Sequence, residues 1–185
     1  MYLEILRSAA LDEVLLRTDE DLLEEARAGG CECSGPLYRA DYARKPRGPG
    51  VLSLHQKRFS LCCGVDGCRR RHTPRSVRFL GRRVWLGAVV VLGTAMLHGL
   101  NCRRVAELHR LLGVSVRTLR RWRRWWLEAF VKTRTWKELT GRVPGVAVRE
   151  VPRSLVERFL PPVEPEAIAT LLRSVSTLSA RESRG

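Results

Sequence analysis

Apolar residues change their spacing several times along the chain. Over about residues 2–28 they recur at helical intervals among acidic ones, as in "TDEDLLEEARAGG". That predicts one or two short acidic helices, with Thr18 as N-cap and Gly29 and Gly30 as the stop. From Cys31 to about Trp85 the pattern becomes short extended pieces between turn residues: "GPLYRADYARKPRGPG", "VLSLHQKRFSL" and "SVRFLGRRVW". A small β unit of about three strands follows. From about residue 83 to 130 the spacing is helical again. Beyond 131, "TGRVPGVAVREVPRS" and "LPPVEPE" break a C-terminal tail into two short helices whose last residues are expected to fray.

The predicted fold class is therefore α+β, a small β unit followed by a helical domain. The segments expected are an acidic helical stretch (1–30), the β unit (31–85), the helical region (86–130) and the tail (131–185). The longest apolar run, "VWLGAVVVLGTAMLHGL", is broken by glycines and a histidine and lies at the lower limit for a membrane span. It reads as a buried core helix, so no membrane partner is expected. The β unit is too short to bury much core and needs a staple.

The most structured pattern is "RRVAELHRLLGVSVRTLRRWRRWWLEAF", residues 103–130. Val105, Leu108, Leu111 and Leu112 share one side of a first helix, Gly113 supplies a turn, and Ser115 is the N-cap of a second. On a helical wheel, Val116, Leu119, Trp122, Trp126, Ala129 and Phe130 form an apolar arc. Arg117, Arg120, Arg121 and Arg124 lie nearly opposite, and Arg123 falls nearer the apolar side. Arginines scattered by composition alone would not sort in this way.

Charge gives the basic arc its meaning. The 185-residue chain carries a formal charge of +15, which points to a polyanionic partner, nucleic acid ahead of a membrane surface. Residues 1–30 are net acidic, so the basic excess belongs to the body. A helix packed on one side and lined with arginine on the other suits the major groove of double-stranded DNA. Early positions, Arg117, Thr118 and Arg121, are the candidates for reading bases; later arginines such as Arg124 are candidates for phosphate contact, and Arg120 is a further DNA-contact residue.

Cysteine supplies the staple. Cys31 and Cys33 form one pair, and Cys62, Cys63 and Cys68 form a second group at the other end of the β unit. No basic start followed by an apolar run marks an export signal, so a reducing cytoplasm is the expected compartment, where clustered thiols favour metal over disulfides. Four thiolates suit tetrahedral zinc and leave no open position for water, which makes the cofactor a structural zinc. Strand alternation puts Cys63 on the inward face with Phe59 and Leu61, and Cys62 outward. The expected ligands are Cys31, Cys33, Cys63 and Cys68, with Cys62 in reserve. His55 and His72 are near enough in sequence to substitute but read as surface residues, and Cys102 reads as core.

"LGVSVRTLRRW" resembles the helix-turn-helix of many bacterial regulators and transposases, with His109 where a small residue is usual. Over residues 31–130, the cysteine-stapled ribbon, apolar helix and helix-turn-helix together look like the N-terminal DNA-binding part of insertion-sequence transposases and of the small accessory proteins encoded beside them. The pair Cys31 and Cys33 is spaced CxC where CxxC is usual. The resemblance implies a zinc-ribbon β unit at 31–85, a helix-turn-helix at 86–130, and a partner transposase domain with three metal-binding carboxylates. After residue 130 the acids are Glu138, Glu150, Glu157, Glu164, Glu166 and Glu182, with no Asp. No enzymatic activity is expected. A DNA-binding protein of mobile-element type is the leading expectation; a transcriptional regulator and an RNA-binding or assembly module are the alternatives.

Overall fold

The computed structural model describes residues 2–48, 53–80, 85–99, 101–161 and 163–179. Its elements are α1 (Tyr2–Ile5), α2 (Ala9–Ala28), β1 (Leu37–Arg39), β2 (Tyr42–Ala43), β3 (Lys57–Arg58), β4 (Leu61–Cys63), β5 (Arg71–His72), α3 (Gly87–Met96), α4 (Cys102–Leu112), α5 (Val116–Arg124), α6 (Arg134–Arg142), α7 (Arg153–Phe159) and α8 (Pro165–Ser174). The class is α+β. Residues 51, 52 and 81–84 of the expected strands, and the last residues from 180, including Glu182, lie outside the described residues.

The apolar run forms α3, and every residue from Gly87 to Ala95 is buried. A helix apolar on all sides needs neighbours on all sides. Here α3 packs against α4, α5, α7 and α8. Among the described residues no helix is long and apolar enough to cross a membrane.

The C-terminal segment does not trail as a tail. Trp136 and Leu139 of α6, Leu155 and Val156 of α7, and Ile168, Leu171 and Leu172 of α8 are buried in the same cluster as α3. Its composition misleads because Pro and Gly mark only the breaks between helices, while each short helix keeps a narrow apolar stripe. The acidic N-terminal helix closes the other side: α2 packs along α8, and Arg173 of α8 pairs with Glu25 of α2. Thr18, expected as an N-cap, lies within the continuous α2 and returns its hydroxyl to the Val14 carbonyl at 2.8 Å.

The ribbon has more and shorter strands than expected. Antiparallel β1, β4 and β5 form one sheet, and antiparallel β2 and β3 form another. Register pairs Leu37 with Cys63, Tyr38 with Cys62, and Cys62 with Arg71. Behind the sheet lies a second small core of Leu23, Cys31, Leu37, Phe59, Leu61 and Cys63. Two buried carboxylates of α2 tie this unit to the helices. Asp12 meets His55 Nε2 at 2.6 Å, and Asp19 accepts from Ser76 Oγ, the Val77 amide and Arg78 Nε. His55 is thus fully buried, contrary to its reading as a surface residue.

Candidate metal centre and basic helix

The two cysteine groups bring Cys31, Cys33, Cys63 and Cys68 together, with ligand atoms all within 4.8 Å of one another. Cys31 Sγ lies 3.7 Å from Cys68 Sγ, and Cys33 Sγ lies 3.4 Å from Cys63 Sγ. A tetrahedron of thiolates with metal–sulfur bonds of about 2.3 Å has edges of about 3.8 Å. The observed separations approach that figure, so this donor set fits a metal ion. Cys63 sits inward and fully buried. Cys62, its neighbour, points to the other face, where its thiol lies 3.4 Å from the Arg69 carbonyl.

Backbone amides complete the arrangement. Each of the four sulfurs accepts an N–H from the residue two positions on: Cys31 from Cys33, Cys33 from Gly35, Cys63 from Val65 and Cys68 from Arg70. Donors aimed at sulfur favour the thiolate, but at Cys31, Cys33 and Cys63 the neighbouring thiols and burial outweigh the amide and push the thiol up. The Cys68 thiol is pulled down to about 7, first by the Arg70 amide and next by the Cys33 thiol. The repeated i+2 pattern accounts for the CxC spacing, because the Cys33 amide serves Cys31 while Cys33 is itself a member of the cluster. Gly35 admits no side chain, since a Cβ there would stand 2.9 Å from Cys63 Sγ and 2.4 Å from Val65.

The residue after the last cysteine of each group has a left-handed backbone, Ser34 with φ 61° and Arg69 with φ 40°. Such conformations in non-glycine residues cost about 1–3 kcal/mol each and persist where the surroundings over-determine them. The four-sulfur cluster and its amides supply that constraint. His72 is neither a fifth member nor a free surface residue: its Nε2 lies 3.3 Å from Cys31 Sγ, against the edge of the cluster. Cys102, expected in the core, is exposed at the start of α4. The apolar stripe of α4 begins at Val105, so the helix's first turn projects beyond the packed face.

Helices α4 and α5 meet at Gly113, whose φ of 66° makes the turn. Ser115 caps α5 by accepting the Thr118 amide at 3.2 Å. His109 braces the same turn, donating from Nδ1 to the Val114 carbonyl at 2.8 Å. Arg7, from the segment before α2, donates to the Leu111 carbonyl at the C-terminal end of α4. Leu119 and Trp122 are buried against the core, with Trp122 edge-on to Trp85 at 5.9 Å between ring centres.

On the opposite side Arg117, Arg120, Arg121 and Arg124 are exposed, and Arg123, nearer the apolar side, is exposed as well. None of the five has an ion-pair partner among the described residues. Thr118 is half-buried, and its hydroxyl accepts from Ser115 Oγ at 2.9 Å, which leaves the Thr118 proton available to a ligand. The helix does not continue at 100° per residue through residue 130. A π-helical turn spans Trp125–Ala129, with the Phe130 amide reaching the Trp125 carbonyl. This wider turn keeps Trp126 and Phe130 in the core, at 4.6 Å between ring centres, and leaves Ala129 exposed, off the apolar arc where the regular wheel places it.

No protein-family model matches the chain, and neither a curated protein nor a solved structure matches it.

Proposed function

We propose that the protein binds double-stranded DNA as a mobile-element-type protein, placing α5 in the major groove while a structural zinc in the four-cysteine centre holds the ribbon. The single observation that carries the reading is the exposed arginine face of α5, which has no acidic partner among the described residues and is backed by a rigid apolar side. Arg117, Thr118 and Arg121, in the first turns after the Ser115 cap, face base edges, and Arg120 and Arg124 hold phosphate oxygens. The four sulfurs are the donor set zinc prefers, and with all four positions filled by protein the ion's contribution is folding. Any strand transfer then falls to a separate transposase acting beside it.

The test combines two measurements on the full chain. Metal content of the purified protein is expected to be one zinc per chain. Selection from a random duplex pool is expected to enrich one motif whose affinity falls steeply with salt, as counterion release requires. An unselective pool with a flat salt dependence would overturn the reading, and preferential retention of single-stranded RNA would replace it with an RNA-binding one.

A further inference from the structure

A cleft of about 440 Å³ runs between α6 and α8, with Arg75 at its edge, and is composed quite differently from the four-cysteine centre. Leu139, Val143 and Phe159 give it an apolar lining, while Thr135, Thr177 and three arginines give it polar groups. Glu138, Thr170 and Ser174 also line it, so an apolar patch sits within a polar and charged frame, at a volume in the usual small-ligand range of about 300–1,000 Å³.

The charges within it are not equally committed. Arg173 is paired with Glu25, and Glu138 is taken by Arg134 at 2.7 Å. Arg75 and Arg142 are exposed and have no ion-pair partner among the described residues. The hydroxyls are likewise unbalanced. Thr135 Oγ1 and Thr177 Oγ1 lie 2.6 Å apart, and that bond uses one of their two protons. The second remains for an outside acceptor.

We propose that this cleft binds a small organic anion, a carboxylate, sulfonate or phosphate ester on an apolar body. Arg75 and Arg142 hold the anionic group by charge-assisted hydrogen bonds, Leu139 and Phe159 take the apolar body, and the Thr135–Thr177 pair donates its spare proton to a ligand oxygen. A duplex phosphate would meet only the rim arginines and leave the apolar walls and the hydroxyl pair unused. The occupant is therefore a ligand that enters the cleft.

The test is a fluorescence titration of the full chain, without nucleic acid, using anilinonaphthalene sulfonate and its uncharged relative phenylnaphthylamine. Wild type is expected to bind the anionic probe saturably. Arg75→Gln combined with Arg142→Gln is expected to weaken that binding by at least about tenfold and to leave the uncharged probe unaffected. Thr177→Val, which keeps the shape and removes a hydroxyl, is expected to weaken the anionic probe alone. Both arginines are exposed, so an unchanged melting temperature checks that the fold survives. Unchanged binding of the anionic probe in the double variant would overturn the proposal. So would equal losses for both probes, or a double variant that loses duplex DNA affinity while wild type shows no saturable probe site.

Discussion

The Asp19 carboxylate and the Arg78 guanidinium meet at 2.7 Å with neither side chain exposed to solvent. Arg78 also lies over the ring of Phe59, at 4.4 Å from its centre, so one arginine joins α2, the ribbon and the segment that leads into α3. Removing one member of such a pair leaves a buried charge without compensation. Asp19→Ala is expected to destabilise the fold by about 3–5 kcal/mol, read as a fall in urea midpoint. A second variant, Asp19→Leu with Arg78→Met, is expected to recover only part of the loss, because the Ser76 hydroxyl and the Val77 amide still lose their acceptor. If Asp19→Ala shifts the midpoint no more than an ordinary surface substitution, the pair does not join the two units.

The neighbouring cysteines separate by direction. Cys63→Ser is expected to abolish or sharply reduce bound metal and to lower the melting temperature, whereas Cys62→Ser is expected to retain one metal per chain. Elemental analysis of the two purified variants decides it. Equal metal content in both would mean that the inward sulfur is not a ligand.

Metal-free protein is expected to show one unusually reactive thiol. With its thiol lowered to about 7 by the Arg70 amide and the Cys33 thiol, Cys68 is substantially thiolate at neutral pH, where an ordinary cysteine is mostly protonated. The sign follows: reactivity rises as pH passes upward through about 7, and falls below it. Timed alkylation with peptide mapping is expected to label Cys68 ahead of Cys31, Cys33 and Cys63. Metal is expected to protect all four and to leave exposed Cys102 reactive. Labelling of Cys68 no faster than the rest of the cluster would contradict the sharing of protons among the sulfurs that lowers Cys68 and raises Cys31, Cys33 and Cys63.

Along α5 the arginines are expected to differ by position. Arg117→Ala should cost about 1–3 kcal/mol on the preferred duplex and relax base preference, while Arg124→Ala should weaken all sequences alike and reduce the salt slope by about one. Binding isotherms for two sequences at several salt concentrations separate these outcomes. Identical behaviour of the two variants would argue against insertion of α5 into a groove.

Features set by local periodicity were readable from sequence. Alternation in a strand turns Cys63 inward, and helical spacing buries Leu119 and Trp122. What stayed hidden depends on partners far along the chain. His55 has no local sign of burial, because its partner is Asp12, and the acidic character of α2 gave no sign that Asp19 would be interred beside Arg78. The π-helical turn at Trp125–Ala129 is hidden for another reason: aromatic packing selects it, and no residue in "WWLEA" is a helix breaker. The amide donors to the sulfurs belong to the backbone and leave no trace in side-chain identity, apart from Gly35, whose missing Cβ makes room for the cluster.

The contact of α2 with α8 also sets an order of events during synthesis. Glu25 and Arg173 are 148 residues apart, whereas the four cysteines lie between residues 31 and 68. Contacts between distant residues form later because a larger loop must close first. The metal unit can therefore assemble on the ribosome while the apolar side of α2 still lacks its partner. The central helix α3 is made next and is covered in turn by α4, α5, α7 and α8. A chain halted before α7 would have its four cysteines assembled and still expose one side of the most apolar helix of the fold. Binding of the ion alone would then be a poor sign that the protein is finished.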